Sequence, residues 1–460
     1  MLDLAIRGGT LLTEQGEFLA DVGVEHDRIA AIAQPGALPA ARKTLEVEGC
    51  FVLPGIIDIH FHVRAPGHPA RGTFPTETRA AAAGGVTTVL EMPISVPCCA
   101  TAEVLENRKA LGEQQSYVNF GLYGAPGRLD RDQVLAMADA GACGFKIFTH
   151  ALPKGREEEF LGLCIDRADE IYRALELVGE TGRLVSCHAE NEQLIQLFEG
   201  RIKSAGRIDP AGFVASRPPV VEALSVAELA AMCADLGTHV HIAHVSCAAA
   251  LRQLQQGQAA GLPMTGETCP HYLFFTAADM DRHGPFAMIK PPLRSREDQD
   301  ALWAGLLDGS LAAITTDHSP FTLAEKERGL PNIWQGAIGS PGVEALLPGV
   351  LTEALDGRLP LKSALRLLTS QPARLFHLYP ERGTVQPGSI ADLVVYDPRP
   401  TGSVDSSRWL TQARAIDRLY HGRRQRGAVR TTIVNGVIVY QEGQIVAEPG
   451  TGRFVRPARP

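Results

Sequence analysis

Two histidines stand two residues apart in Asp58-Ile59-His60-Phe61-His62-Val63-Arg64, directly after the apolar run Phe51-Val52-Leu53 and the turn-forming Pro54-Gly55. If residues 56–63 are extended, alternation sends both imidazoles to one face. Imidazole is the commonest metal ligand, and two from one rigid strand fix an ion at little ordering cost. A lone His-x-His on a solvated strand carries no such meaning. Here four more residues follow. Lys146 lies inside the apolar stretch 144–148, His188 follows Leu184-Val185-Ser186-Cys187, His244 closes His241-Ile242-Ala243, and Asp317 follows Ile314-Thr315-Thr316. Each has an ordinary alternative: a hydrogen-bonded loop histidine, a snorkelling lysine, a turn-capping aspartate. Each also sits on or just after a predicted strand, and together they form a candidate metal centre.

The elements that must position them alternate. Strands are predicted over 56–63, 86–90, 118–122, 144–148, 184–187, 240–245, 264–267 and 312–316. Helices are predicted over 76–83, 130–140, 166–178, 225–236, 248–256 and 296–307. Repeated β-α units of this number imply an α/β fold of the (β/α)8 TIM-like type, whose active groups collect where the strands end. Before residue 50 the pattern is of short strands, with His26-Asp27 marking a turn. After residue 378 short strands return over 383–397, and Asn435-Gly436 signals a hairpin. The expected organisation is residues 1–50 and 379–460 in one small β-sandwich domain and 51–378 in the barrel. The Pro/Gly/Arg-rich tail after Ala447 is expected to be loose or at an interface.

Composition excludes several classes. The 460 residues are 45% hydrophobic and 21% charged, enough for a large core. A net charge of −8 argues against nucleic-acid binding, and the basic run Arg423-Arg424-Gln425-Arg426 reads as a solvated face or a subunit contact. Nine cysteines without a C-x-x-C pair suit a reducing cytoplasm, not a disulfide framework. The N-terminus is charged where a secretory signal has its apolar core, and no apolar stretch is long enough to span a bilayer.

The motifs as a set resemble the cyclic amidohydrolases, the group of allantoinases, dihydroorotases and hydantoinases. The resemblance runs nearly the whole length and rests on Pro54 to His62, Gly144-Phe145-Lys146, Cys187-His188-Ala189-Glu190, Ile242 to Ser246, Glu267-Thr268-Cys269-Pro270-His271-Tyr272, Thr316-Asp317-His318-Ser319-Pro320 and Gly383 to Leu393. It implies that His60 and His62 bind one divalent metal with Asp317, that His188 and His244 bind a second, and that Lys146 bridges both as a carboxylated lysine formed with CO2. An ammonium beside two dications is untenable, whereas a carbamate supplies two hard oxygens and a negative charge suited to zinc. Two metals lower the pKa of water and polarise a carbonyl. Asp317 is then the group that takes the proton and passes it to the leaving nitrogen. The implied reaction is hydrolytic opening of a small cyclic amide or ureide. His271 and His318 are expected to support the ligands by hydrogen bonds.

The motif majority resembles allantoinases, including Glu91-Met92-Pro93-Ile94. Dihydroorotases hold a substrate carboxylate with an arginine, an asparagine and a histidine; here those positions read Arg64, Ile94 and Phe321. Hydantoinases place a tyrosine beyond the bridging lysine, where this chain has none; His150 is the neighbouring polar residue. Ala65 replaces the glutamate usual in allantoinases, and Lys290 stands where relatives carry a small polar residue. Arg64 and Lys290 are therefore candidate contacts for an anionic group on the substrate. The loop holding Gly67, His68 and Gly72 has a composition that permits a lid. Some relatives keep the barrel as scaffolds but lack metal ligands; all six are present here. Resemblance also implies a homodimer or homotetramer.

Overall fold

Strands buried on both faces need continuous apolar runs, and that is what the middle of the chain supplies. The computed structural model describes residues 1–458. Eight strands lie side by side in chain order: β1 (Ile56–Phe61), β2 (Val86–Glu91), β3 (Asn119–Gly124), β4 (Gly144–Phe148), β5 (Val185–His188), β6 (Val240–Ile242), β7 (Met264–Thr268) and β8 (Ala313–Ile314). All neighbours pair in parallel. The His62 N–H donates to the His318 carbonyl at 3.0 Å, bringing the end of β8 back to β1. The expected (β/α)8 barrel is present and nearly closed.

Three strands are shorter than predicted, β1 ending at Phe61, and the reason is chemical. β6 stops at Ile242 and β8 at Ile314. Just beyond them His244 and Asp317 take left-handed backbone, with φ of 39° and 46°. Non-glycine residues there cost about 1–3 kcal/mol and cluster at functional sites. Arg64, beyond β1, shares this conformation with φ 69°.

Helices follow their caps. Thr73 accepts from the Thr76 N–H at the start of Phe74–Ala83, Asp130 caps Arg131–Ala140, and Ser295 caps Arg296–Asp308. Helix Ala102–Gln115 was not expected, because it buries only Leu105, Arg108 and Gly112 and so leaves little apolar periodicity to read. Glu192–Ser204, with Ile195 as its one buried residue, escapes for the same reason.

Both chain ends build two further sheets. One has four strands, in the order Arg28–Ala33, Asp21–Glu25, Leu2–Arg7, Ala41–Glu46. The other has seven, with Leu393–Ser403 between Arg424–Val434 and Phe51–Pro54. Leu4, Val22, Leu11, Val52, Val395 and Ile433 share one core. Asn435 and Gly436, with φ of 51° and 80°, make the expected hairpin turn. Over 383–397 the structure differs, since the strand begins only at Leu393. Gly55 joins sandwich to barrel where a Cβ would lie 2.0 Å from Thr87 Oγ1.

Over residues 448–458 the tail is not loose. Arg453 O accepts from the Phe120 N–H at 3.0 Å, and the Val455 N–H donates to Phe120 O at 2.8 Å. The basic run is structural: Arg423 pairs with Glu353 at 2.5 Å, and Arg424 pairs with Asp356. No helix among the described residues is long and apolar enough to cross a membrane.

Candidate metal centre

β1 carries His60 and leads directly into His62, on the same side as alternation requires, and its own Asp58 fixes the register. The buried Asp58 carboxylate accepts from the Thr316 N–H at 3.1 Å and from the Thr315 hydroxyl, tying β1 to the segment that carries Asp317. His62 Nε2 and His60 Nε2 then lie 3.1 and 3.4 Å from Asp317 Oδ1. The ligand atoms of these three residues all fall within 4.8 Å of one another. From the ends of β5 and β6, His188 Nδ1 and His244 Nε2 meet at 3.1 Å. The His60 and His244 rings are 5.1 Å apart, so the two groups adjoin. Lys146 is fully buried in β4, and its charge acts on all four histidines.

These contacts fit metal positions. Two donors about 2.1 Å from a tetrahedral ion lie about 3.4 Å apart, close to the observed 3.1–3.4 Å. Burial drives His60, His62 and His244 well below the usual imidazole range and His188 down to about 4, leaving neutral rings with free lone pairs. Burial also pushes Lys146 down, and its Nζ has no hydrogen-bond partner. An orphaned buried amine among four imidazoles is costly unless another group completes it. Asp317 is pushed up by burial, with Lys146 and Arg64 opposing.

Two carboxylates that stand in the motifs without an assigned role orient the ligands. Glu267, on β7, lies 2.6 Å from His60 Nδ1. Glu190 lies 2.8 Å from His188 Nε2 and is itself held by Arg217 at 3.1 Å. Each fixes which ring nitrogen faces the centre. The hydrogen bonds expected from His271 and His318 are not made by their rings. His271 packs on Tyr272 with Nε2 unpartnered, and His318 turns Nε2 to Glu77 at 2.8 Å. His318 contributes through its carbonyl, which holds the His62 N–H.

A cavity of ≈ 1120 Å³ opens over these groups. Arg64, Ile94 and Phe321 all line it, as does Lys290. Arg64 donates to the Ser319 hydroxyl and stacks on Phe321 at 5.0 Å, while its Nε and Nη1 are buried without partners. His150 lines the wall too, with Nδ1 2.8 Å from Ala151 O. The loop after β1 is pinned by Arg71, which pairs with Glu159 at 3.3 Å and with Glu325 at 2.7 Å; His68 Nε2 also lies 3.1 Å from Glu159, but burial pushes that imidazole down and it carries no charge there at neutral pH.

Residues 51–439 match the amidohydrolase family. The chain belongs to the amidohydrolase family. It is 32% identical to an L-hydantoinase of Paenarthrobacter aurescens, over 99% of this chain and 98% of that one. It is 35% identical to an allantoinase of Rubrobacter xylanophilus, again over 99% of this chain and 98% of the other. The solved L-hydantoinase (dihydropyrimidinase) from Arthrobacter aurescens superposes with a TM-score of 0.94 at 32% identity, covering 99% of this chain and 100% of that one. Within the amidohydrolase family, this chain is an enzyme of the cyclic amidohydrolase type. The His60, His62, Asp317 cluster and the family together are consistent with use of a divalent metal.

Proposed function

We propose that this enzyme opens a hydantoin-type ring by hydrolysis of a C–N bond, with allantoin, a hydantoin carrying a ureido arm, as the substrate to test first. The observation that carries this reading is the meeting of His60, His62 and Asp317 with His188 and His244 around the unpartnered Lys146. Relatives named allantoinase and L-hydantoinase support the ring class.

In this reading His60, His62 and Asp317 would hold one zinc ion, His188 and His244 would hold a second, and Lys146 would serve both. Zinc, when bound, activates water and polarises the ring carbonyl. Burial favours loss of the ammonium proton from Lys146; the neutral amine would then add CO2 through a new N–C bond and release a second proton to solvent, leaving an anionic carbamate. Glu267 and Glu190 hold His60 and His188 in place. Asp317, aimed from its left-handed turn, receives the proton of the attacking water and returns it to the leaving ring nitrogen. Arg64 and Lys290 are the inner-wall cations open to a substrate group. The barrel, which begins at Ile56, does the chemistry, and the sandwich built by the two chain ends, with Phe51–Pro54 in its seven-stranded sheet, braces it. Nine free cysteines suit a reducing cytoplasm, and the assembly is a homodimer or homotetramer by resemblance.

The test is a ring-opening assay on zinc-supplemented protein with allantoin, unsubstituted hydantoin and dihydroorotate in parallel, alongside metal analysis. Turnover of allantoin and hydantoin but not dihydroorotate is expected, because Ile94 and Phe321 give no donor to a carboxylate fixed directly on the ring. Turnover of dihydroorotate alone would overturn the reading.

A further inference from the structure

The cavity is larger than a bare hydantoin ring needs, since pockets of about 300–1,000 Å³ bury drug-sized ligands and this one measures ≈ 1120 Å³. It leaves room for an arm on the ring. The wall that would receive the arm is unevenly charged. Arg71 and Arg156 both hold Glu159, at 3.3 and 2.6 Å, and Arg217 holds Glu190 at 3.1 Å. Lys290 holds nothing: among the described residues no hydrogen bond or ion pair reaches its Nζ. It is half-buried, not a solvent-facing lysine.

The segment carrying it is fixed. Tyr272 donates to the Pro291 carbonyl at 2.7 Å, and Arg294 donates to the Ser246 hydroxyl at 3.0 Å. The place is also distinct from that of Arg64. Lys290 acts on His150 and His188, whereas Arg64 stacks on Phe321 and acts on Asp317. Burial, reinforced by Arg217, pushes the Lys290 ammonium down to about 8. Such a cation is best stabilised by an anion brought in with the ligand.

We infer that Lys290 is a specificity-determining residue that receives a carboxylate at the end of the ring substituent, so that the preferred substrates are hydantoins bearing a short acidic arm. This rests on the hydantoin-ring reading above. It separates an acid on a flexible arm from the ring-bound acid of dihydroorotate, which would face Arg64, Ile94 and Phe321 instead.

The test uses the zinc-loaded full chain with 5-(2-carboxyethyl)hydantoin and its neutral isostere, 5-(2-carbamoylethyl)hydantoin. A charge-assisted contact corresponds to about tenfold or more in kcat/KM. The wild type is expected to prefer the acid by about that factor. In Lys290→Met the ratio of kcat/KM for acid over amide falls to about one. In Lys290→Arg the preference is retained, and Lys290→Glu turns it toward 5-(2-aminoethyl)hydantoin. Equal use of acid and amide by the wild type, or a preference that survives Lys290→Met, would overturn the assignment while leaving ring opening intact. Failure to open any hydantoin with both metals bound would remove the ring reading and this inference with it.

Discussion

His60 Nδ1 and Glu267 Oε1 lie 2.6 Å apart, and this contact decides which nitrogen of His60 faces the centre. The carboxylate accepts from Nδ1–H, so Nε2 keeps its lone pair and points toward Asp317. Burial works against ionisation of Glu267, but His60 and His241 hold its carboxyl well below the usual range. The same residue thus fixes tautomer and ring orientation.

Glu267→Gln tests that relationship. An amide can present N–H to Nδ1 and favour the wrong tautomer. Zinc affinity, measured by competition with a chromogenic chelator, is expected to fall about 10–100-fold, with far-ultraviolet circular dichroism unchanged. Unaltered zinc affinity would show that His60 needs no such partner.

Lys146 is the second test. Lys146→Met keeps the apolar stem and removes the amine, so nothing joins the His60/His62 and His188/His244 groups. Metal content is expected to drop from about two ions per chain to about one or none. Intact-mass spectrometry of the wild type at neutral pH should show the added mass of one CO2, absent after acidification and absent in the variant. A wild type with two metals and no added mass would refute the carbamate.

The barrel was legible because strands buried on both faces read as short apolar runs, and the candidate ligands because each lies at a strand or its end. What the sequence did not disclose are contacts made across the fold. Glu267 reaches a histidine 207 positions away, and no local periodicity marks that. His271 and His318 looked like supporting groups from their motifs, yet the carboxylates Glu267 and Glu190 contact the ligands, whereas those rings make no hydrogen bond to them. Helix Ala102–Gln115 was hidden by its exposed polar surface. The tail's Pro/Gly/Arg-rich composition suggests freedom, but Gly452 serves close approach instead: a Cβ would lie 1.9 Å from the Val118 carbonyl.

Glu159 gives a pH prediction. Burial alone would raise its carboxyl, but Arg156, Arg71 and Arg64 outweigh it and hold it down to about 2. The unfolded value is near 4.5. A depressed carboxylate contributes stability that is present above the unfolded pKa and is lost as pH falls toward the folded one. Glu159→Gln is therefore expected to be less stable by about 2 kcal/mol at neutral pH. The gap to wild type should narrow between about pH 4.5 and 2, read from thermal melts across that window. A gap independent of pH would mean that Glu159 acts by shape and not by charge.

The tail supplies the last prediction. Gly450 and Gly452 N–H groups both donate to Ser116 O at 3.0 Å, and Arg453 and Val455 add two strand-like bonds to Phe120. Val455 is 4% exposed, and Phe454 packs edge-on to Phe120 at 5.7 Å. Burying two such side chains contributes about 3 kcal/mol or more. Truncation after Ala447 is expected to lower the urea midpoint by a matching amount at nearly unchanged slope. Phe120 lies at the start of β3, whereas the candidate centre lies where the strands end. Metal content and kcat of the folded fraction at low temperature should therefore stay close to wild type. Gly452→Val, which forces a side chain onto the Val118 carbonyl, should reproduce the loss with the tail still attached. An unmoved midpoint in both variants would show that the tail merely rests on the barrel.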